Sequence, residues 1–240
     1  MRRKSDEEGR KRAEEVKAAM RHAWGGYEEF AFGADELLPR SKRGKNNWGS
    51  MGVTLVDSLD PLWLMGMKDE FWRARDWVKD HLSFDNAGDV SVFETTIREL
   101  GGLLAAYDLS GDDIFRDKAQ ELGDRLLPAF NTASGIPLSS VNFRNSRGSG
   151  DRSVEFRYLS EITGDIKYAD KVNKVFELMS RLNPADGLFP IYISPSNGRP
   201  VGSQAREGQV TFGALGDSFY EYLLKVWIQG DQEDNMLRNM

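Results

Sequence analysis

Phe156-Arg-Tyr-Leu-Ser-Glu-Ile-Thr-Gly164-Asp165, followed by Tyr168, Val172, Val175, Met179 and Leu182, reads as two helices broken at a Gly-Asp pair. Apolar residues on three- and four-residue steps mark one face of each helix, Gly stops the first and Asp restarts the second. The same pattern stands upstream: Phe93, Ile97, Leu100 and Leu104 mark a helix before Ser110-Gly111-Asp112, and Phe115, Ala119, Leu122 and Leu126 mark one after it. The two Gly-Asp pairs lie 53 residues apart, and the Gly135-Ile-Pro137 that closes one unit answers the Gly187-Leu-Phe-Pro190 that closes the next. A third pair, Gly230-Asp231, follows the helical stretch Phe219–Ile228. The chain is an internal repeat of helix pairs. Such pairs need a neighbour on each side to bury their apolar faces, so they build an open solenoid or a closed ring, and periodicity leaves both open.

Toward the N-terminus, Val16, Met20, Trp24, Tyr27 and Phe30 mark the first helix face. Residues 1–15 mix both charge signs without an apolar period and read as a solvated lead-in. After a polar loop from Pro39 to Ser50, Leu55, Leu59, Leu62 and Met65 mark a helix ended by Gly66, and Phe71, Ala74, Val78 and Leu82 mark the next. Strand signals are few: Gly187–Ser194 and Gln209–Phe212 are expected to form a small hairpin across the Pro195–Gly208 loop. The fold class is therefore all-α with one β-excursion. One patterned domain is expected over 16–230, with a polar tail over 231–240 that stops before a second helix of its unit.

Composition narrows the function. The 240 residues carry 32 Lys and Arg against 38 Asp and Glu, a formal charge of −6, so no basic surface invites nucleic-acid phosphates. With no Cys and only His22 and His81, thiol catalysis, disulfides and a His-rich zinc site are excluded. No run of 18 apolar residues and no apolar N-terminal core is present, so neither a membrane span nor a secretion signal is expected in this chain.

Ionised carboxylates set inside apolar helix patterns are the residues that packing explains least. They are Asp57 and Asp60 in Val56-Asp-Ser-Leu-Asp60, Glu94 with Arg98 one turn on, and Asp217 with Glu221. Taken singly they read as surface ion pairs or helix caps. Gathered at one end of several helices of a ring, they would make a glycosidase site, one carboxyl protonating the leaving oxygen and another activating water. Trp48, Trp63, Trp72, Trp77 and Trp227 are read as core rather than sugar platforms. Arg144–Arg152 lacks the Gly-Lys-Ser/Thr ending of a phosphate loop and reads as a flexible loop.

Phe93-Glu-Thr-Thr-Ile-Arg98-Glu-Leu-Gly-Gly-Leu-Leu104 resembles glycoside hydrolase family 47, the class I α-1,2-mannosidases. Similar to that family also are His22-Ala-Trp-x-x-Tyr27, Val56-Asp-Ser-Leu-Asp60, Leu109-Ser-Gly-Asp112, Asp124-Arg-Leu-Leu-Pro-Ala-Phe-Asn131, Ser134-Gly-Ile-Pro137 and Gly213-Ala-Leu-Gly-Asp-Ser-Phe-Tyr-Glu-Tyr-Leu-Leu-Lys225, a likeness running from about Val16 to Gly230. The resemblance implies an (α/α)7 barrel, calcium dependence and inverting removal of terminal α-1,2-mannose from high-mannose N-glycans in the endoplasmic reticulum or Golgi. It implies that Glu94 is the acid that protonates the leaving group, that Asp217 is a second catalytic carboxylate, and that Arg98 lines the substrate site. Leu215 stands where endoplasmic-reticulum members have Arg, which resembles the Golgi type with its broader trimming. Inversion needs carboxyl groups roughly 6.5–9.5 Å apart.

A catalytic domain of that family is about twice this length. The third acidic catalytic residue, the calcium-ligating Thr, the Cys pair, the barrel closure and the N-terminal membrane anchor have no counterpart in these 240 residues. Where the family has Gln-Leu-Glu-Phe after a Ser-rich run, this chain has Arg147-Gly-Ser-Gly-Asp-Arg-Ser-Val-Glu155-Phe, which shortens one helix start. The expectation is half of a barrel that is inactive by itself, with exposed flanks. The alternatives are a mannosidase-like glycan-binding protein of glycoprotein quality control, and a helical-repeat scaffold for protein partners.

Overall fold

A computed structural model describes residues 2–85, 87–144, 147–150, 155–201 and 208–240. The repeat appears as geometry. Helix α1 (Arg2–Ala31) leads through strands β1 (Glu36–Leu38) and β2 (Arg43–Lys45) to α2 (Val53–Asp57), α3 (Leu59–Leu64) and α4 (Lys68–His81). Strand β3 (Asp89–Ser91) opens a continuous helical rod made of α5 (Val92–Thr95), a π-helical turn at Thr96–Leu100 and α6 (Gly101–Ser110). Then come α7 (Asp113–Leu126) with a 3-10 turn to Phe130, β4 (Leu138–Asn142), β5 (Arg147–Gly150), α8 (Glu155–Thr163), α9 (Lys167–Leu182), α10 (Asp217–Gln229) and α11 (Asn235–Asn239).

The hairpins α6–α7 and α8–α9 turn alike because the same two residues act alike. Gly111 and Gly164 take φ of 71° and 70°, a left-handed conformation that only glycine adopts without strain. Asp112 and Asp165 then each accept the amide two residues on, from Ile114 and Lys167, both at 3.1 Å. The third pair departs from this pattern. Gly230 has φ −89°, Asp231 takes the positive φ, and the cap moves to Asp234, which accepts from Met236 at 3.0 Å and Leu237 at 3.3 Å.

Helix α6 buries Gly102, Leu103, Leu104 and Ala106 and lies inside the stack, whereas α7 and α9 keep a polar face to solvent. One core runs from Trp24 and Tyr27 of α1 through Phe71, Phe115, Phe156 and Tyr168 to Phe219 and Leu223 of α10. Among the described residues the helices do not close into a barrel.

Four expectations are revised. The charged residues before Val16 are helical, forming the first turns of α1; residues 6–15 of it are exposed to solvent and supported by good helix formers and the Arg12–Glu8 pair at 2.9 Å. Val16 itself is 56% exposed, so the buried face begins further along the helix. The hairpin expected from Gly187–Ser194 and Gln209–Phe212 is reduced to isolated bridges, Pro190 to Val210 and Ile193 to Pro200. Pro190 and Pro200 have no N–H to extend a ladder. The tail after Gly230 carries α11, whose Leu237 is buried.

The sheets form elsewhere, β1 with β2 and, in a three-stranded antiparallel sheet, β3 with β4 and β4 with β5. Of the expected Arg144–Arg152 loop, residues 147–150 are strand β5, while 145–146 and 151–152 lie outside the described residues, as do 153–154 after it. Much of the segment that shortens the start of α8 therefore also lies outside them.

Candidate functional site

Asp57, the last residue of α2, reaches the site because two close approaches set where α2 lies. Asp35 is wholly buried between α1 and α2. Its carboxylate accepts the amides of Gly52 at 2.8 Å, Trp48 at 2.8 Å and Ser50 at 2.9 Å, pinning the loop that feeds α2. On the other side α6 presses its Gly102 backbone against α2, where a Cβ would stand 2.6 Å from the Val56 carbonyl oxygen.

Arg98 is the centre of the resulting cluster. Its Nε donates to Glu94 Oε2 at 2.8 Å and its Nη1 donates to Asp57 Oδ2 at 3.1 Å. Burial works against the guanidinium charge, but the two carboxylates outweigh it and hold Arg98 above its ordinary value. Neighbouring Asp60 is pushed up, first by its own burial and then by the Asp57 charge. Glu94 lies in the first turn of α5, and its amide is capped by Ser91 Oγ at 3.3 Å. Arg98 sits in the π-turn, where one extra residue per turn re-aims the side chains that follow.

Asp217 is the first residue of α10, exposed, with Oδ1 accepting from Ser218 N at 2.9 Å. Leu215, two residues earlier, is 72% exposed and takes φ of 76°, a strained value for a residue with a Cβ. Among the described residues, no hydrogen bond or ion pair joins Asp217 or Leu215 to Glu94 or Arg98.

Glu155 supplies a link between the two groups and was not chosen as a site residue from the sequence. It begins α8, lies beside Gly101 at the end of the π-turn, and accepts Tyr222 Oη of α10 at 3.1 Å. Burial, then the Glu155 charge, raises the Tyr222 phenol well above its ordinary value. The signal was present, a carboxylate before an apolar helix face at a helix start. Thus Glu94, Glu155 and Asp217 each occupy the first turn of a helix, where the helix dipole favours negative charge. Glu155 thus touches both the rod that carries Glu94 and the helix that Asp217 begins, through Gly101 and Tyr222.

Glu99, next to Arg98, is fully buried, and among the described residues both its carboxylate oxygens are unpartnered, as are the hydroxyls of Thr95 and Thr96. Burial, then the Asp35 charge, raises its carboxyl well above the ordinary range. Of the tryptophans, Trp63, Trp77 and Trp227 pack on the core, Trp48 Nε1 donates to Glu36 at 2.9 Å and Trp72 is 43% exposed. No group of three His, Asp or Glu among the described residues is placed to hold a metal ion, and no helix there is long and apolar enough to cross a membrane.

The profile of glycosyl hydrolase family 47 matches residues 19–240. The chain is 50% identical over 238 residues to mannosyl-oligosaccharide 1,2-alpha-mannosidase MNS1 of Arabidopsis thaliana, an alignment covering 93% of this chain and 42% of that protein. It is 42% identical over 254 residues to the human mannosyl-oligosaccharide 1,2-alpha-mannosidase IB, covering 98% of this chain and 39% of that one. Among solved structures, the alpha-1,2-mannosidase from Trichoderma reesei superposes with a TM-score of 0.81 at 31% identity, over 95% of this chain and 52% of its own. The chain thus spans about two-fifths of the length of these curated relatives.

Proposed function

From the premise that the chain belongs to glycosyl hydrolase family 47, we propose that it forms the acid-bearing part of an inverting α-1,2-mannosidase acting on high-mannose N-glycans. The observation that carries this reading is the bracing of Glu94 by Arg98, itself anchored on Asp57. A general acid must be held within reach of the leaving oxygen, and this brace fixes the orientation of the Glu94 carboxyl. Asp217, at the start of α10, is proposed as a second catalytic carboxylate. Arg98 and Glu155 offer a donor and an acceptor to sugar hydroxyls between them.

Leu215 presents no donors where an Arg would hold one glycan branch, which supports removal of several mannoses in the manner proposed for Golgi-type members. The lumen of the endoplasmic reticulum or Golgi is the compartment that this substrate requires. Calcium is the family's expected ion, yet the described residues offer no cage of carboxylates for it, so no step is assigned to it here.

A chimera tests the reading. Residues 1–240 joined to the C-terminal remainder of the Arabidopsis relative should release mannose from an α-1,2-linked oligosaccharide, and Glu94→Gln should lower kcat by about 10²–10⁴ with little change in KM. Unchanged turnover in that variant would overturn the role of Glu94. The 240-residue chain by itself is expected to release none.

A further inference from the structure

A cleft of about 400 Å³ lies between α9 and the loop Asn131–Gly135. Lys171, Lys174, Leu178 and Arg181 follow one another at steps of three and four, forming one stripe along α9 that faces this loop. Glu177 is the single acidic residue of the lining, so the cleft carries a formal excess of two positive charges in a chain whose net charge is −6.

The cations are poorly compensated. Lys171 Nζ donates to the neutral Asn131 Oδ1 at 3.1 Å, and Lys174 has no hydrogen bond or ion pair among the described residues. Arg181 meets Glu177 at 3.4 Å, a long contact between exposed side chains. The opposite wall is rigid: Thr132 Oγ1 donates to the Ile136 carbonyl at 2.8 Å and accepts Gly135 N at 3.0 Å, while Ser134 Oγ donates to the Pro195 carbonyl at 2.8 Å. Ala133, in the same wall, keeps an amide that makes no hydrogen bond among the described residues.

We propose that this cleft is a binding site for a phosphate monoester carried on a sugar. A phosphate monoester brings close to two negative charges at neutral pH and three acceptor oxygens, which suits a cleft lined by Lys171, Lys174 and Arg181. The position adds the sugar. The loop runs on into β4, and β4 pairs with β3, the strand that opens α5 and Glu94. The sugar assignment rests on the proposed role of Glu94, whereas the binding of anions does not depend on it.

The test titrates the 240-residue chain at low ionic strength with mannose 6-phosphate, inorganic phosphate and mannose, read by calorimetry and by the amide resonances of Ala133–Gly135. Saturable binding of both phosphates and none of mannose is expected. Tighter binding of mannose 6-phosphate assigns the sugar-borne source. Equal affinities keep the anion site but overturn its assignment to a sugar. Lys171→Gln with Lys174→Gln should weaken binding by about tenfold or more, while Glu177→Gln should tighten it several-fold. All three positions are on the solvent side of α9, so an unchanged Tm verifies that the variants fold. Absence of saturation, or affinities unmoved by these substitutions, would overturn the site.

Discussion

Glu99 shows what one residue does when packing overrides its chemistry. It is buried in the π-turn, where the charges of Asp35 and Asp57 push its carboxyl up and that of Arg98 pulls it down. A carboxylate so enclosed keeps its proton in the fold and releases it on unfolding, so its folded value lies above its unfolded one. The sign follows: the native state binds one proton more, its stability is greatest below the unfolded value near pH 4.3, and it declines as pH rises toward the folded value. Urea melts from pH 4 to pH 8 should show wild type losing stability relative to Glu99→Gln by up to ~1.4 kcal/mol per pH unit in that window. Parallel pH profiles would show that Glu99 is solvated in the fold. Glu99→Leu, which removes the unpartnered oxygens, should be more stable than wild type at pH 7 by about 1–3 kcal/mol.

Among the elements, the contact of α2 with α6 decides whether the candidate site exists. Asp57 and Arg98 are 41 residues apart, and their bond needs α2 to lie directly on the rod that carries Glu94. Gly102→Ala places a methyl 2.6 Å from the Val56 carbonyl, an obstacle made of backbone that must shift as a whole. The expected cost is about 1–3 kcal/mol by thermal or urea unfolding. The larger diagnostic is local: the Arg98 Nη resonances should lose the signature of the Asp57 contact while Glu94 remains bonded to Nε. A variant with unchanged Tm and an intact Arg98–Asp57 bond would show that α2 is positioned by Asp35 alone. Helix positions themselves were legible from apolar periodicity, and so were the Gly-Asp turns at Gly111 and Gly164. The π-turn was not: the spacing of Phe93, Ile97, Leu100 and Leu104 predicts one buried face, whereas the rod buries Val92, Thr95, Thr96, Glu99 and Leu100 and leaves Phe93 and Ile97 only partly covered.

At the scale of the whole molecule, α10 presents Leu224 and Ile228, 56% and 53% exposed and one turn apart, beside a groove floored by Trp227 and Leu237. Exposed Phe212 and Leu215 lie just before the same helix. An apolar stripe of that kind binds hydrophobic dyes and promotes association. The chain should enhance anilinonaphthalene sulfonate fluorescence, and Leu224→Glu with Ile228→Glu should remove most of that signal while changing stability by less than about 0.5 kcal/mol each. Loss of the fold in the double variant would show that both side chains support the core.

What the sequence determined by itself was local or repetitive: helix faces, the Gly-Asp turns, the likeness to a hydrolase family, and the choice of Glu94 and Arg98 as neighbours one turn apart. Each depends on spacings of a few residues, which the chain writes directly. Tertiary structure alone decided that Asp57 would anchor Arg98, that Glu155 would bridge to α10 through Tyr222, and that β3 would pair with β4 rather than Gly187–Ser194 with Gln209–Phe212. Those outcomes depend on which helices approach closely enough to bring distant residues into hydrogen-bonding range. Close approach was set by a missing Cβ at Gly102 and a buried carboxylate at Asp35, whose effects are felt only once the core has packed.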